Sequence, residues 1–328
     1  MKMPDVWGLL KEMDLEAVKR EADRPFQVLV IGHPDDAETR AGLLSGPTQG
    51  RHPWVLCADP AEARRRAGSG LIDLAVIVTR PMDPEPIVAA TREVLTAARV
   101  PFVTALVAEG GRTVDALVRG GEAARVIVPA LDQAALGPLA EAILAAVPAP
   151  LRLPLARQLP PLRSAVISAL IEDTARTNAL YSLTTGLAEV VPVLNVPLNL
   201  ADVVVLTKNQ LLMSYRIALA AGKRGRGKEL MTEIAGVIGG GLLFRQAGRS
   251  LIGLIPGVGI VPKVAIAYAG TIAIGRAVSV WAQDGGKLTK AAVRGFYLEA
   301  SRRAKQVAKD LVSRAKSMTP RLPGGKGR

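Results

Sequence analysis

Residues 26–129 alternate between short apolar runs and longer segments with helical spacing, and this alternation constrains the fold more than any other feature of the chain. Five runs have the length and composition of buried strands. They are FQVLVI, PWVLC, LIDLAVIVT, FVTALV and RVIVP. The alanine-rich segments between them, such as PIVAATREVLTAARV, have the length of helices. A βαβα order predicts an α/β domain with a five-stranded, mostly parallel sheet and helices on both faces.

The chain changes character at a proline-dense segment. PAPLRLPLARQLPP holds five prolines between Pro148 and Pro161, a density that predicts a stiff extended linker. Long helical periods without strand patterns follow it, which predicts an all-α domain with apolar helical hairpins. The predicted boundaries are an N-terminal amphipathic helix over 1–25, the α/β domain over 26–147, the linker over 148–162, the helical domain over 163–286, and a basic C-terminal helix and tail over 287–328.

The most apolar stretch of the helical half is Ser250 to Gly275, in which Lys263 is the one charged residue. It exceeds the roughly 20 residues that span a bilayer as a helix. However, the sequence PGVGIVP places Pro256 and Pro262 near its middle. We therefore favour two half-length apolar helices joined at a Pro-Gly turn, in a re-entrant hairpin, over a single span.

The charge balance indicates a polyanionic partner. Lys and Arg number 42 against 29 Asp and Glu, and phospholipid surfaces attract such an excess. Aromatic residues are only 3%, too few for the stacking platforms of single-stranded nucleic-acid binders. Two basic clusters flank the apolar segments and are predicted to face anionic lipid. They contain Lys223, Arg224, Arg226, Lys228, Arg302, Arg303, Lys305 and Lys309.

The motif HPDDAETR follows the first predicted strand, where phosphate-binding loops lie in parallel sheets. Aligned on GxxxxGK[ST], Gly32 and Thr39 match as cofactor-binding remnants, whereas Ala37 and Glu38 replace the second glycine and the lysine. A glutamate at the lysine position repels phosphate, so nucleotide binding in the usual mode is not expected. The domain is thus predicted to be P-loop-GTPase-like or flavodoxin-like, with no catalytic residue.

The same residues admit other interpretations. HPDDAE matches the zinc signature of the LmbE-like and PIG-L-like de-N-acetylases, but these need a later histidine and the chain has none after His52. Asp35 and Asp36 also suggest a response-regulator receiver, in which Val78 and Thr79 would occupy the phospho-acceptor position. The interpretation that we favour is an acidic helix N-terminus that complements the macrodipole. With one cysteine and two histidines, no disulfide, metal or cofactor is expected.

The segment VPVLNVPLNLADVVVLTKNQLLMSYRIALAAG and the following GGGLLFRQAGRSLIGLIPGVGIVPKVAIAYAGTIAIGRAV resemble the YcjF-like domain of unknown function. The likeness spans about 120 residues of the helical half. Its landmarks are Asp202, Gln210, Arg245, Arg249, Pro256, Gly257, Gly259 and Lys263. The resemblance implies association with the bacterial inner membrane and an N-terminal domain that is a degenerate GTPase relative.

The sequence as a whole predicts a non-catalytic scaffold or recruitment protein at the cytoplasmic face of a bacterial inner membrane. Its expected partners are anionic phospholipid and a protein or a second copy of the chain, with no small-molecule substrate. Two alternatives stay open. One is an unconventional GTP-binding switch, and the other is a soluble nucleic-acid binder that uses the basic C-terminal helix.

Overall fold

A computed structural model describes residues 6–46, 54–108, 123–128, 130, 132–188, 200–239, 260–285 and 289–318. The chain forms two compact units. The first, which we call the α/β unit, comprises Glu16–Ser168 with Leu219–Gly222. The second, which we call the helical unit, comprises Met1–Leu15, Ala169–Ala218 and Lys223–Arg328.

The secondary structure of the described residues begins with short helices and a βα series and continues with long helices. The strands are β1 Val28–Ile31, β2 Val55–Ala58, β3 Leu74–Thr79, β4 Phe102–Val107 and β5 Ala123–Val128. The helices are α1 Val6–Lys11, α2 Leu15–Asp23, α3 Pro34–Ser45, α4 Pro60–Ala67, α5 Glu85–Ala97, α6 Leu136–Ala146, α7 Ala149–Gln158, α8 Arg163–Ala188, α9 Leu200–Ala220, α10 Gly227–Gly239, α11 Ile260–Asp284 and α12 Lys290–Met318. Single 3₁₀ turns lie at Gln133–Ala135 and Pro160–Leu162.

The five strands pair in parallel in the order β2-β1-β3-β4-β5. This is the doubly wound order of flavodoxin, and it confirms the predicted five-stranded parallel sheet. The chain reverses direction across the sheet after β2, so right-handed crossovers place α3 on one face and α4 and α5 on the other. Every residue of β1 and β3 is buried, because helices cover both faces of these central strands.

The proline-dense segment folds as a helix, so the predicted extended linker over 148–162 was wrong. Helix α7 begins after Pro148 and accommodates a second proline in its first turn, where a missing N–H costs nothing. Pro154 lies inside the helix, and its neighbours Leu153 and Leu155 are buried. Burial of this apolar face stabilises the helix against its internal proline, and the segment belongs to the α/β unit.

The N-terminal segment was predicted as one amphipathic helix over 1–25, and its described residues form two. Helix α1 ends at Lys11 and α2 begins at Leu15, with a turn between them. Leu9 and Leu15 are both buried on either side of this turn. The break lets each short helix bury its own leucine.

Helix α11 is longer than the half-length arm predicted for the re-entrant hairpin. It runs unbroken for 25 residues, from Ile260 to Asp284, and Pro262 lies in its first turn, where proline is tolerated. Residues 250–259, which would form the turn and the other arm, lie outside the described residues. Helix α11 is therefore not the half-length helix predicted for this arm, and the predicted Pro-Gly turn and other arm are not tested.

Helix α12 packs along α11 through a stripe of small side chains. Ala300, Ala304 and Ala308 recur at four-residue spacing, which places them on one face, and all three are buried. Helix α8 also approaches α11 closely, because Gly275 leaves room for the side chain of Ile171. A Cβ atom at residue 275 would lie 2.6 Å from Cγ1 and 2.8 Å from Cγ2 of that isoleucine.

We predict that Gly275→Ala lowers the free energy of unfolding by about 1–3 kcal/mol, since the branched Ile171 side chain has no room to move away. Urea unfolding measures the change. The added Ile171→Ala substitution should remove the clash, so the double variant should lose less than the sum of the single variants.

The matched control is Gly295→Ala on α12, where a Cβ atom would meet nothing within 4 Å. This variant should gain roughly 0.5–1 kcal/mol from helix propensity. Equal effects at the two glycines would contradict the close approach of α8 and α11.

Candidate functional site

The junction of β1 and α3 carries the residues predicted as the remnant of a phosphate loop. A Cβ atom at Gly32 would lie 2.8 Å from the carbonyl oxygen of Val78, so the close approach of β3 alone requires glycine here. The Thr39 hydroxyl donates a 2.8 Å hydrogen bond to the carbonyl oxygen of Asp35, one turn earlier in the same helix. Both residues thus have structural contacts that explain them without a nucleotide.

The N-terminal turn of α3 contains a carboxylate, that of Asp36, which is paired within the protein. The Asp36 carboxylate accepts two hydrogen bonds of 2.7 Å from Nε and a terminal nitrogen of Arg80, which follows β3. The Asp36 side chain is only 7% exposed, whereas that of Arg80 is 50% exposed. The hydrogen bonds from Arg80 hold the pKa of Asp36 below its ordinary value. A carboxylate therefore already lies at the helix N-terminus where a phosphate would bind.

Arg40 lies one turn further along α3 and was not among the residues predicted to be functional. Its side chain is fully buried, and its Nε and both terminal nitrogens have no hydrogen-bond partner among the described residues. Burial lowers its pKa to about 10, while the negative charges of Asp132 and Asp36 oppose this shift. The guanidinium is thus charged at neutral pH and surrounded by protein.

The carboxylates near Arg40 are engaged elsewhere. Asp36 binds Arg80, and Oδ1 of Asp132 accepts from the backbone N–H groups of Ala134 and Ala135 at 3.0 and 3.3 Å. A sequence signal for Arg40 exists, because it falls on the buried face of α3 with Ala37, Ala41 and Leu44. A cation at the spacing of the apolar residues of a helix marks a buried charge.

The helical unit contains a buried polar cluster centred on Thr271 of α11. Its hydroxyl accepts hydrogen bonds from the side-chain amides of Asn178, at 2.9 Å, and Gln210, at 3.2 Å. It donates to the carbonyl oxygen of Ala267 at 2.8 Å. Asn209 adds a 2.8 Å bond to the side-chain oxygen of Asn178. These bonds join α8, α9 and α11 at one level, and such networks fix the register of packed helices.

Charged and aromatic partners occur along α11 on both sides of this cluster. The Tyr268 hydroxyl donates to Glu172 of α8 at 2.7 Å, and burial followed by this carboxylate raises the pKa of Tyr268 to about 12. Arg276 pairs with Glu299 of α12 at 2.6 Å. The ammonium of Lys223 lies 4.9 Å from the centre of the Trp281 ring. Helix α11 is therefore apolar in composition but held by polar contacts.

The residues singled out by the YcjF-like resemblance are described in part. Gln210 is buried in the polar cluster, Lys263 lies half-buried in the first turn of α11, and Asp202 lies in the first turn of α9. The remaining landmarks lie outside the described residues. They are Arg245, Arg249, Pro256, Gly257 and Gly259.

The predicted basic clusters lie on exposed surface of the helical unit. On α12, the side chains of Arg302, Arg303, Lys305 and Lys309 are exposed. In the loop before α10 and at its start, Arg224, Arg226 and Lys228 are exposed and Lys223 is half-buried. The exposed cations of α12 lie opposite its buried alanine stripe, so this helix is amphipathic, with a charged outer face.

Among the described residues, α11 has the length and apolar composition to cross a membrane, and 61% of its most apolar 18-residue window is buried inside the protein. Within the same residues, no cluster of three or more His, Cys, Asp or Glu side chains could hold a metal ion. Comparison of the chain with known protein families, with curated proteins and with solved structures finds no match in any of the three.

We predict that Asp36→Asn lowers the free energy of unfolding by about 1–2 kcal/mol at pH 7, because Arg80 then loses a charged partner. Folding lowers the pKa of Asp36, so the ionised carboxylate stabilises the folded state. This contribution to the free energy of unfolding is complete above about pH 4, the pKa of aspartate in the unfolded chain. It is lost as the pH falls through the lower pKa of the folded state. Denaturant unfolding between pH 7 and pH 3 measures the difference.

Glu62→Gln is the control, since Glu62 pairs with Arg66 on the partly exposed surface of α4. Its effect should stay below about 0.5 kcal/mol at every pH. A cost of Asp36→Asn that does not shrink below pH 4 would contradict an ionised, Arg80-bound Asp36.

Proposed function

We propose that this chain is a non-catalytic, membrane-associated scaffold whose helical unit binds the surface of anionic phospholipid membranes through α12. The exposed charge of α12 carries the proposal. Where its side chains are described, its exposed cations are Arg294, Arg302, Arg303, Lys305, Lys309 and Arg314, and its exposed acids are Glu299 and Asp310. Glu299 is paired with Arg276, and Arg303 is paired with Glu172 of α8. The positive outer face is formed by Arg302, Lys305 and Lys309.

Electrostatic attraction to lipid head-groups gives this face its affinity. Each Lys or Arg near an anionic membrane surface contributes about 1 kcal/mol, and the effect falls off within a Debye length. Several cations on one rigid helix act together, so their sum suffices for reversible binding. The exposed side chains of Arg224, Arg226 and Lys228 add positive charge to the same unit.

Contacts around α11 favour a position on the membrane surface over passage through it. Glu172 of α8 binds Tyr268 and Arg176, and the adjacent Asp173 is exposed. A spanning α11 would carry these charges of its partner helix into hydrocarbon, at a cost of several kcal/mol. Intramolecular packing already buries 61% of the most apolar 18-residue window of α11, which supports a position outside the hydrocarbon.

The α/β unit supports the non-catalytic part of the proposal. Its phosphate-loop position is taken up by tight packing of Gly32 on Val78 and by the Asp36–Arg80 pair. We propose that this unit is a degenerate GTPase-like domain that recruits a protein partner or a second copy of the chain.

Co-sedimentation with vesicles tests the membrane proposal. The protein should bind phosphatidylserine-containing vesicles at low salt, bind pure phosphatidylcholine weakly, and dissociate at high salt. Replacing Arg302, Lys305 and Lys309 with Gln should weaken binding by about 3 kcal/mol, roughly a hundredfold.

The control replaces Arg64, Arg65 and Arg99 with Gln, which removes the same charge from exposed positions of the α/β unit. This variant should bind vesicles within about twofold of the wild type, because its α12 face is intact. Equal losses in the two variants would contradict a site on α12. Strong, salt-dependent binding to duplex DNA without vesicle binding would support the nucleic-acid alternative instead.

A further inference from the structure

One large apolar side chain, that of Leu298, is exposed on the outer face of α12. It is 37% exposed, whereas Tyr297 before it and Ala300 after it are buried. A single exposed leucine is ordinary on a protein surface, so its role depends on the side chains that surround it.

Exposed cations surround Leu298 along the helix. Arg294 and Arg302 lie four residues before and after it, and Lys305 lies seven residues after it, so all three share its face. Lys309 extends the same row by a further turn. These four cations, which we call the cationic row, extend over about 22 Å of the helix at 1.5 Å per residue. Leu298 lies within this row.

The acidic residues of α12 lie off the cationic row. Glu299 and Asp310 are turned about 100–120° from Leu298 around the helix axis. Glu299 pairs with Arg276 of α11 at 2.6 Å, and Asp310 accepts a 2.9 Å hydrogen bond from Gln306. The face around Leu298 therefore combines positive charge with one apolar group.

The interface of an anionic bilayer offers a partner to both kinds of side chain. Head-group phosphates bind the cations, and the acyl boundary below them takes up the apolar residues of a helix that lies parallel to the membrane. The long stems of Lys and Arg let their charges stay among the head-groups while the helix lies deeper. A nucleic-acid backbone offers phosphates without such an apolar layer.

We propose that α12 lies parallel to the surface of an anionic phospholipid bilayer and inserts Leu298 into the acyl boundary as an apolar anchor. The anchor rests on the proposed membrane function and adds to it a contribution to affinity that salt does not screen. The cationic row attracts the helix and orients it, and Leu298 then contacts lipid. Because one partly exposed leucine contributes little by itself, binding still depends on charge and stays reversible.

Vesicle binding by the full-length chain tests the anchor. Leu298→Gln keeps a good helix former at this position but removes the apolar end of the side chain. Its affinity for phosphatidylserine-containing vesicles should fall by about three- to tenfold, as expected when the exposed third of a leucine no longer enters lipid. Leu298→Phe should bind at least as tightly as the wild type, because its ring offers a larger apolar surface.

The dependence on salt separates the anchor from the charges. The factor lost in Leu298→Gln should be the same at every salt concentration at which binding is measurable. The factor lost on replacing Arg302, Lys305 and Lys309 with Gln should instead shrink as the salt concentration rises, because salt screens these charges.

Leu180→Gln is the matched control. Leu180 lies on α8 of the same unit and is 46% exposed, and Arg176, one turn before it, is paired with Glu172. This variant should bind vesicles as the wild type does. Equal losses at the two leucines would overturn an anchor on α12.

A fluorescent label reports the depth of the anchor directly. An environment-sensitive fluorophore is attached to Leu298→Cys in a chain whose free Cys57 is replaced by serine. On vesicle binding its emission should shift to the blue, and lipids brominated in their acyl chains should quench it. The same label on Leu180→Cys should show neither effect.

The outcomes distinguish the anchor from the membrane function on which it rests. If the wild type binds vesicles and Leu298→Gln binds equally well, or if brominated lipids do not quench the label, the anchor is wrong and surface binding stands. If the wild type does not bind anionic vesicles, the proposed function fails and the anchor with it. If Leu298→Gln does not fold, the labelled chain decides.

Discussion

Covering the apolar helix α11 is the constraint on which the helical unit depends. A helix of 25 residues with this composition must be shielded from water by lipid or by protein. Here α12 covers it with an alanine stripe, and α8 approaches it at Gly275. Thr271 fixes the position of α11 along α8 and α9, because its hydroxyl accepts hydrogen bonds from Asn178 and Gln210. Burial supplies most of the stabilisation, and the polar bonds select one register.

This arrangement also decides which surface would meet a membrane under the proposed function. Because the alanine stripe faces α11, the long cationic side chains of α12 face outward, where head-groups can reach them. The same helix thus packs on an apolar neighbour and presents a charged outer face. Charges on α8, such as Asp173 and Arg176, lie on a further outer surface that suits water better than hydrocarbon.

The fold was largely predictable from the sequence, and the side-chain sites were not. Strand positions and the parallel sheet follow from local apolar periodicity, which needs no knowledge of distant residues. The linker prediction failed because proline density describes local preference, whereas α7 is stabilised by burial of Leu153 and Leu155. Asp36 pairs with Arg80, which lies far from it in the chain, and Arg40 has no hydrogen-bond partner among the described residues. Both facts depend on which distant residues the fold brings together. No single-chain pattern reveals such partners. The YcjF-like resemblance drew attention to Gln210 but not to its partner on α11.

We propose that protein, not lipid, covers α11 and that the basic face of α12 holds the chain at a membrane surface. Alkaline carbonate extraction of membranes from cells that produce the protein tests it most directly. We predict that the chain sediments with membranes at low salt and is released completely by carbonate, since carbonate removes proteins held by charge. Retention in the carbonate-washed membranes would contradict the account, because it would mean that lipid covers α11.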